Sequence, residues 1–231
     1  MVVRYKGKIM SLVELEAALV QAQMRLDAAA RALAPKHKGG EIEEYWAAHA
    51  ELLDLERKVA AATGIPYAIP MDFPVRWDVG APLPHLIQND YKTFLLFRLR
   101  DVHPNWDGTT VTIKSPSDKV ADGIAIVEFE RCVATMMGSP NDEVLHGHPL
   151  HGCGLDSATA QRVINSKWIE SLRLINSVHH CYRPDYWRSL NHYVLWFHDS
   201  CFECVSESFE IRTVDGKISD VLADLCSRLT E

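Results

Sequence analysis

The sequence contains no apolar run that approaches the roughly 20 residues needed to cross a bilayer. The chain begins Met-Val-Val-Arg-Tyr-Lys-Gly-Lys, so no apolar signal core precedes the first predicted helix. We therefore expect a cytoplasmic protein that has no membrane partner. In that compartment the six cysteines are expected to be reduced thiols and not a disulfide framework.

A basic patch is missing as well. The 24 lysines and arginines are outnumbered by 31 aspartates and glutamates, which gives a formal net charge of −7. Nucleic-acid-binding domains usually show a basic face, so we expect no nucleic-acid partner. A hydrophobic content of 47% and a charged content of 24% are typical of a globular protein, and 231 residues suffice to bury a core.

Several catalytic signatures are absent. The sequence has no GxGxxG, no Walker P-loop, no GxSxG elbow, no HExxH and no EF-hand loop. Dinucleotide-binding, nucleotide-binding, serine-hydrolase and zincin interpretations therefore lose support. The function has to be sought in other groups of reactive side chains.

A long amphipathic helix is predicted over 11–33. Ser11 and Glu14 form a capping-box pattern at its start. Apolar residues then recur at alternating spacings of three and four, which is a heptad-type seam. The seam comprises Leu12, Leu15, Leu19, Ala22, Leu26, Ala29 and Leu33.

A second helix is predicted over 41–63 and ends at Gly64. The segment 34–40 contains a proline and two glycines, which interrupt the helical pattern between the two helices. Two helices joined by a short loop form an antiparallel hairpin. The seam either packs within its own domain or joins two copies in a homodimer.

The remainder of the chain is typical of a sheet. The segment 65–84 is rich in proline, and Tyr67, Phe73 and Trp77 are expected to pin it. Enrichment in β-branched and aromatic residues predicts strands over 93–100, 109–114, 123–133, 192–198 and 201–213, with a turn at Asp107-Gly108. Helices are predicted over 166–176 and 219–229.

These elements predict an α+β protein. The N-terminal antiparallel helical hairpin covers 1–64, and a Pro-rich connecting segment covers 65–90. A mainly antiparallel β-sheet domain with a few helices covers 91–231, because consecutive strands outnumber the helices there.

The densest group of reactive side chains lies at 141–154. This segment contains three histidines, two carboxylates, one thiol and three glycines. Imidazoles and carboxylates bind metals and transfer protons, and glycines allow a close backbone bend. Residues two apart in an extended loop share a side, so His146 and His148 are expected to converge on one ligand. His151 joins them only if Pro149 and Gly152 bend the loop.

A second group lies at 192–203 and is predicted to form a strand hairpin. A two-residue turn at Asp199-Ser200 would pair His198 with Cys201, Trp196 with Glu203, and His192 with Glu207. One face would then present His198, Glu203, His192 and Glu207, and the other would present Phe197, Leu195 and Phe202 to the core. Cys201 and Cys204 form a CxxC pattern, but an offset of three residues places the two thiols on opposite faces of a strand.

The two groups together predict a polar pocket built from 141–153 and 192–203. The catalytic residues are predicted to be His148, His198, Glu203 and Glu143. The substrate-binding residues are predicted to be Asn141, Asp142, His151, Cys153 and Trp196. Two histidines and a carboxylate suit zinc or iron, so His146, His148 and His198 are the predicted ligands of a divalent metal.

The leading hypothesis is a small cytoplasmic enzyme that acts on a small molecule, as a hydrolase or a lyase. Its chemistry would be metal-assisted, or would use a histidine that a carboxylate holds in one tautomer. The alternative is a non-catalytic ligand-binding or regulatory protein that oligomerises through its helical hairpin. The same histidines also have a structural interpretation, since histidines often cap turns and form hydrogen bonds in cores.

Overall fold

The computed structural model describes residues 2–5, 7–33, 39–100, 122–157 and 159–230. A helix pair is followed by antiparallel sheets and a few helices, so the predicted α+β class is confirmed. The chain divides into two compact units. The helical unit comprises 1–69, 146–156 and 163–167, and the sheet unit comprises 70–145, 157–162 and 168–231.

Two long helices dominate the helical unit. Its elements are β1 (Val2–Tyr5), β2 (Lys8–Ser11), α1 (Leu12–Leu33), α2 (Gly39–Thr63) and β3 (Tyr67–Pro70). The helices predicted over 11–33 and 41–63 are confirmed as α1 and α2, to within two residues at each end. None of the helices in the described part of the chain combines the length and the apolar character that crossing a bilayer requires.

The predicted capping box is present at the start of α1. The amide N–H of Ser11 donates to Glu14 Oε2 at 2.8 Å, and the amide N–H of Glu14 donates to Ser11 Oγ at 3.4 Å. These bonds satisfy N–H groups that the first helical turn leaves without a partner. Gly64, at a φ of +74°, follows the last residue of α2 in the left-handed conformation that glycine adopts without strain.

The heptad seam of α1 packs within the helical hairpin. Leu15 and Ala22 are fully buried in one cluster with Leu52 and Leu55 of α2. Each fully buried leucine stabilises such a cluster by about 1.5–3 kcal/mol. Packing within its own unit therefore accounts for the seam. A contact with another molecule would have to use a different face of the helices.

Two consecutive residues of α2 hold the loop that contains Gly154. The Gly154 N–H donates to Glu56 Oε2 at 2.9 Å. The Arg57 side chain donates to the carbonyl oxygens of Ala68, at 2.9 Å, and of Gly154, at 2.8 Å. The Ala68 N–H in turn donates to the carbonyl oxygen of Cys153 at 2.9 Å. Burial raises the pKa of Glu56, and the bond from Gly154 opposes that rise.

The remaining elements follow in chain order. They are β4 (His85–Gln88), β5 (Thr93–Arg98), β6 (Asp122–Glu130), β7 (Ala134–Gly138), a 3₁₀ helix (Asp142–Gly147), β8 (Ala160–Ile164), α3 (Lys167–Asn176), α4 (Pro184–Arg188), β9 (Asn191–Trp196), β10 (Cys201–Ser206), β11 (Ser208–Gly216) and α5 (Ile218–Arg228). Two sheets contain the strand runs β8–β9–β10–β7 and β11–β6–β5–β4. The pairs of β10 with β9 and β7, and of β6 with β11 and β5, are antiparallel.

An aromatic cluster forms the core of the sheet unit. Phe97 on β5 and Phe202 on β10 are fully buried in this cluster, so the two sheets share one core. Phe73 and Trp77 of the Pro-rich segment pack against it. The Trp77 ring centroid lies 5.8 Å from that of Phe97 and 5.1 Å from that of Phe197. The proline-rich segment is therefore ordered by aromatic packing, as these residues predicted.

The strand predicted over 201–213 is wrong as a single element. β10 ends at Ser206, and β11 begins at Ser208 in the other sheet. The chain passes between the sheets at Glu207, whose amide N–H donates to the carbonyl oxygen of Glu130 at 3.1 Å. Such corners are made by strands that change sheets. No glycine or proline marks this one in the sequence.

The other predicted elements agree more closely. The strands predicted over 93–100 and 123–133 are found as β5 and β6, which end two and three residues earlier. The predicted helices over 166–176 and 219–229 are found as α3 and α5. The strand predicted over 109–114 and the turn at Asp107-Gly108 lie outside the described residues.

The fold makes Gly154 sensitive to substitution. Its φ is +80°, and a Cβ there would lie 2.4 Å from Cγ of Arg57 and 2.8 Å from the carbonyl oxygen of Ala68. Gly154→Ala should lower the free energy of unfolding by about 2 kcal/mol or more, because left-handed strain and a steric clash act together. Urea denaturation measures this loss.

Substitutions of two neighbouring glycines separate the effect of backbone strain from the effect of the steric clash. Gly152 has a φ of +74° but nothing within 4 Å, so Gly152→Ala should cost only about 1 kcal/mol of backbone strain. Gly147 has neither a positive φ nor a close neighbour, and Gly147→Ala should leave stability unchanged. Equal losses for Gly152→Ala and Gly154→Ala would contradict the close packing against Arg57.

Candidate functional site

The β9–β10 hairpin places most of the candidate residues of the sheet unit. Trp196 pairs with Cys201, Val194 with Glu203, and His192 with Val205. The Phe197 N–H donates to the carbonyl oxygen of Ser200 at 2.9 Å, so the two turn residues are His198 and Asp199. The predicted turn at Asp199-Ser200 is therefore wrong by one residue, and every predicted pair is wrong by two.

The two strands keep the predicted alternation, because a shift of two residues preserves it, but His198 lies in the turn and Glu207 follows the end of β10, so neither is on the predicted face. The core face carries Tyr193, Leu195, Phe202 and Cys204, all of which lie in the aromatic cluster. The opposite face carries His192, Val194, Trp196, Cys201, Glu203 and Val205. Cys201 and Cys204 lie on opposite faces, as predicted.

A buried histidine–glutamate pair lies on the second face. His192 Nε2 and Glu203 Oε2 are 2.7 Å apart, and each residue is only 5% exposed. The two are diagonal neighbours across the strand pair. The Trp168 ring of α3 meets the His192 ring edge to face at 5.2 Å. Removing a buried polar group from water is costly unless a partner satisfies it, and here each side chain satisfies the other.

An exposed histidine–aspartate pair lies at the turn. His198 Nδ1 is 2.6 Å from Asp142 Oδ2, and the side chains are 47% and 34% exposed. The Asp142 N–H also donates to the carbonyl oxygen of His198 at 3.1 Å, so backbone and side chain hold the turn to the first residue of the 3₁₀ helix. The hydrogen bond to Asp142 raises the pKa of His198, and the charges of Asp199 and Glu143 add to the rise.

The remaining predicted residues of the sheet unit differ in exposure. The carbonyl oxygen of Asn141 accepts the N–H of Val144 at 3.3 Å, which forms the turn that precedes the histidine-rich loop. Glu143 is exposed and contributes only charge near His198. Trp196 is fully buried, so its indole is not presented to solvent.

The loop residues predicted with them belong to the helical unit. His146 and His151 are exposed, and His148 is half-buried. His148 Nδ1 accepts the N–H of Leu150 at 3.2 Å, which orients the imidazole within the loop. Burial raises the pKa of Cys153, and the charge of Glu56 adds a smaller rise. The raised pKa disfavours the nucleophilic thiolate there.

A group of potential metal ligands lies at the surface of the sheet unit. His179, His180 and Cys181 follow α3, and their donor atoms lie within 4.8 Å of one another. The two imidazole rings stack at 4.5 Å, and all three residues are exposed. Nitrogen and sulfur donors of this kind suit zinc or copper.

Sequence reasoning missed several residues that shape these sites. The predicted register placed His192 opposite Glu207. A turn one residue earlier in the chain would have placed His192 next to Glu203. Glu56 and Arg57 carry no sequence signal for their role, because the Glu56–Gly154 bond joins residues 98 positions apart.

The pKa of His198 provides a direct test of the exposed pair. Asp142→Asn removes the carboxylate that holds Nδ1, so the pKa should fall toward the ordinary value of 6.5. Asp199→Asn should lower it less, because that carboxylate lies 4.0 Å from Nε2. NMR titration of the His198 ring measures both shifts. An unchanged pKa in Asp142→Asn would contradict the pairing.

The same linkage predicts a pH dependence of stability. Because the pKa of His198 is raised in the folded state, its pair with Asp142 stabilises the fold fully at pH values below the unfolded pKa. This stabilisation is lost as pH rises through the folded pKa. Asp142→Asn should therefore destabilise the protein more at about pH 5.5 than at about pH 9.

Comparisons with models of protein families, with curated proteins and with solved structures find no match to this chain. No activity or site can therefore be assigned to this protein from a relative. A fold by itself does not determine function. The function has to be argued from the side chains that the fold brings together.

Proposed function

We propose that this protein is an enzyme that acts on a small molecule, with His198 as general acid–base and Asp142 as the residue that orients it. The reaction class is a hydrolysis or an elimination. The observation that supports this proposal is the 2.6 Å contact of an exposed imidazole with a carboxylate. The buried His192–Glu203 pair lacks such exposure and serves to position the hairpin.

The geometry of the pair suits proton transfer. Asp142 accepts the hydrogen of Nδ1, so the neutral imidazole has its lone pair on Nε2. A carboxylate in this position fixes the tautomer and stabilises the imidazolium that forms after proton transfer. The second contact, from the Asp142 N–H to the His198 carbonyl oxygen, limits how far the ring can move relative to its carboxylate.

The charges around His198 indicate a substrate class. Asp142, Asp199 and Glu143 each favour the protonated imidazole, so the surroundings of the ring are acidic. An anionic substrate would be repelled from this turn, whereas a neutral or cationic one would be accepted. We therefore propose a neutral or cationic small molecule, such as an ester, an amide or an amine-bearing compound.

Activity measurements on variants test the assignment. With a panel of p-nitrophenyl esters of neutral, cationic and anionic acids, His198→Gln should lose about 100-fold in kcat/KM, since general acid–base catalysis contributes roughly 10²–10⁴-fold. Activity should rise with pH as His198 loses its proton. Asp142→Asn should move that rise to lower pH, because it lowers the pKa of His198.

His180→Gln is the matched control, because His180 is also an exposed histidine. It should retain wild-type kcat/KM within about twofold, which excludes nonspecific ester cleavage by surface imidazoles. An equal loss in both variants, or no turnover of any ester, would contradict the hydrolytic form of the proposal.

A metal-assisted form uses the same pair. Metal-bound histidines commonly donate their second ring N–H to a carboxylate, as His198 Nδ1 does to Asp142. His198 Nε2 would then be the ligand atom for zinc or iron. Elemental analysis of untagged protein should give about one equivalent of metal that His198→Ala loses. Activity that survives chelation would favour the metal-free form.

A second candidate function rests on a different observation. Val13, Val20 and Met24 are 73%, 58% and 58% exposed, and their spacings of seven and four place them on one side of α1. This side is opposite the buried seam. Trp46 on α2 is also 59% exposed. An apolar helix side of this kind favours a non-catalytic regulatory protein that oligomerises through its hairpin, with a second copy as the partner.

Size-exclusion chromatography with light scattering tests this candidate. The wild-type protein should be a dimer, and Met24→Lys should be a monomer, because a charge on the apolar side opposes its burial. Gln21→Lys, an equal change of charge on the exposed flank, should leave the dimer intact. A wild-type monomer at high concentration would contradict the second candidate.

A further inference from the structure

The turn that follows α3 brings three potential metal ligands together. The ligand atoms of His179, His180 and Cys181 lie within 4.8 Å of one another, and all three residues are exposed and belong to the sheet unit. In a tetrahedral zinc site, bonds of about 2.0–2.3 Å place neighbouring nitrogen and sulfur ligands roughly 3.5 Å apart. Rotation of exposed side chains is enough to close this difference, so the three residues can surround one ion.

The backbone of this turn is held on both sides of its two central residues. The His179 N–H donates to the carbonyl oxygen of Asn176 at 3.1 Å, and the Tyr182 N–H donates to the carbonyl oxygen of His179 at 2.9 Å. The Tyr182 hydroxyl accepts a hydrogen bond from Arg173 of α3 at 3.3 Å. An ion that binds here therefore has to order side-chain torsions and not a loose loop, which lowers the entropic cost of binding.

The imidazole of His179 already has a lone pair on the side of Cys181. The Cys181 N–H donates to His179 Nδ1 at 3.1 Å, so Nδ1 is the unprotonated nitrogen of this ring. Metal ions bind the unprotonated nitrogen of a neutral imidazole. An ion at Nδ1 would replace the amide as its partner, and the amide of this exposed turn can then bind water.

The second imidazole lies beside the first. The rings of His179 and His180 stack with centroids 4.5 Å apart and planes 29° from parallel. Two imidazolium ions in such contact would repel each other, so the stack favours neutral rings, which are the form that binds a metal. The stacking thus supports the state of the two histidines that ligation requires.

The donor set indicates the class of metal. The group has two nitrogens and one sulfur and contains no carboxylate. Magnesium and calcium prefer oxygen ligands, whereas imidazole and thiolate together suit zinc. A coordinating thiol loses its proton to the metal, so Cys181 would bind as a thiolate. Three protein ligands leave a fourth tetrahedral position for water.

We propose that His179, His180 and Cys181 form a zinc-binding site, with two imidazole nitrogens, one thiolate and a water molecule as ligands. The convergence of the three ligand atoms in a turn with a fixed backbone supports this proposal. The site shares no residue with the His198–Asp142 pair, and it is independent of the reaction proposed for that pair.

Cobalt substitution tests the site, because Co²⁺ occupies zinc sites and its bond to a thiolate gives a charge-transfer absorption in the near ultraviolet. Co²⁺ is titrated into the reduced full-length protein at about neutral pH. The charge-transfer band should appear together with the visible bands of a tetrahedral ion, and both should saturate at one equivalent per chain. Zn²⁺ should then remove both, since zinc binds such sites more tightly than cobalt.

Substitutions at the turn identify the ligands. Cys181→Ser should abolish the charge-transfer band. His179→Gln and His180→Gln should each weaken cobalt binding by more than about tenfold, because even the loss of a group that only supports a ligand costs roughly 10–100-fold in affinity. All three residues are exposed, so these variants are expected to fold.

Cys226→Ser is the matched control. Cys226 is also an exposed thiol of the sheet unit, but it belongs to no such ligand group within the part of the chain that the structure describes. This variant should keep the full band and the wild-type affinity. His198→Ala should keep them as well, which separates this site from a metal bound at His198.

Three results would overturn the proposal. The first is the absence of a charge-transfer band in the wild-type protein at saturating Co²⁺, and the second is a band that persists in Cys181→Ser. The third is saturation at half an equivalent per chain, because the ion would then be shared by two molecules and the three ligands of one turn would not form the site.

Discussion

The register of the β9–β10 hairpin is the constraint on which the arrangement of the sheet unit depends. The turn at His198-Asp199 pairs Trp196 with Cys201 and fixes all the pairs that follow. A slip of one residue would exchange the two faces of a strand. It would remove Phe202 from the aromatic core and direct the Glu203 carboxylate into it, where nothing apolar can satisfy a charge.

Apolar packing alone does not specify this register. A slip of two residues keeps the same faces, so the aromatic core would accept it. The buried pair discriminates against the register with a turn at Asp199-Ser200, because that slip places His192 opposite Glu207 and separates it from Glu203. Leaving a buried hydrogen-bonding group without its partner costs roughly 1–3 kcal/mol. The polar contact thus excludes a register that hydrophobic alternation permits.

This distinction also explains how much could be predicted from the sequence. The capping box at Ser11 and the periodicity of α1 are local signals, and both are confirmed. The faces of β10 were predicted correctly because alternation is local as well. The register failed because it depends on which neighbouring dipeptide forms the turn, and His198-Asp199 and Asp199-Ser200 are equally unremarkable sequences. The hydrogen bond from the Gly154 N–H to Glu56 joins residues 98 positions apart, and no local pattern encodes it.

Burial assigns different chemistry to side chains of the same type. His192 with Glu203 is closed to solvent and stabilises the hairpin, whereas His198 with Asp142 is exposed, as the general acid–base role proposed for His198 requires. The exposed His198 ring thus depends on a partner, Asp142, whose position is fixed by the backbone. Precise placement of reactive groups requires such rigid support, and the β10 strand pairs supply it here.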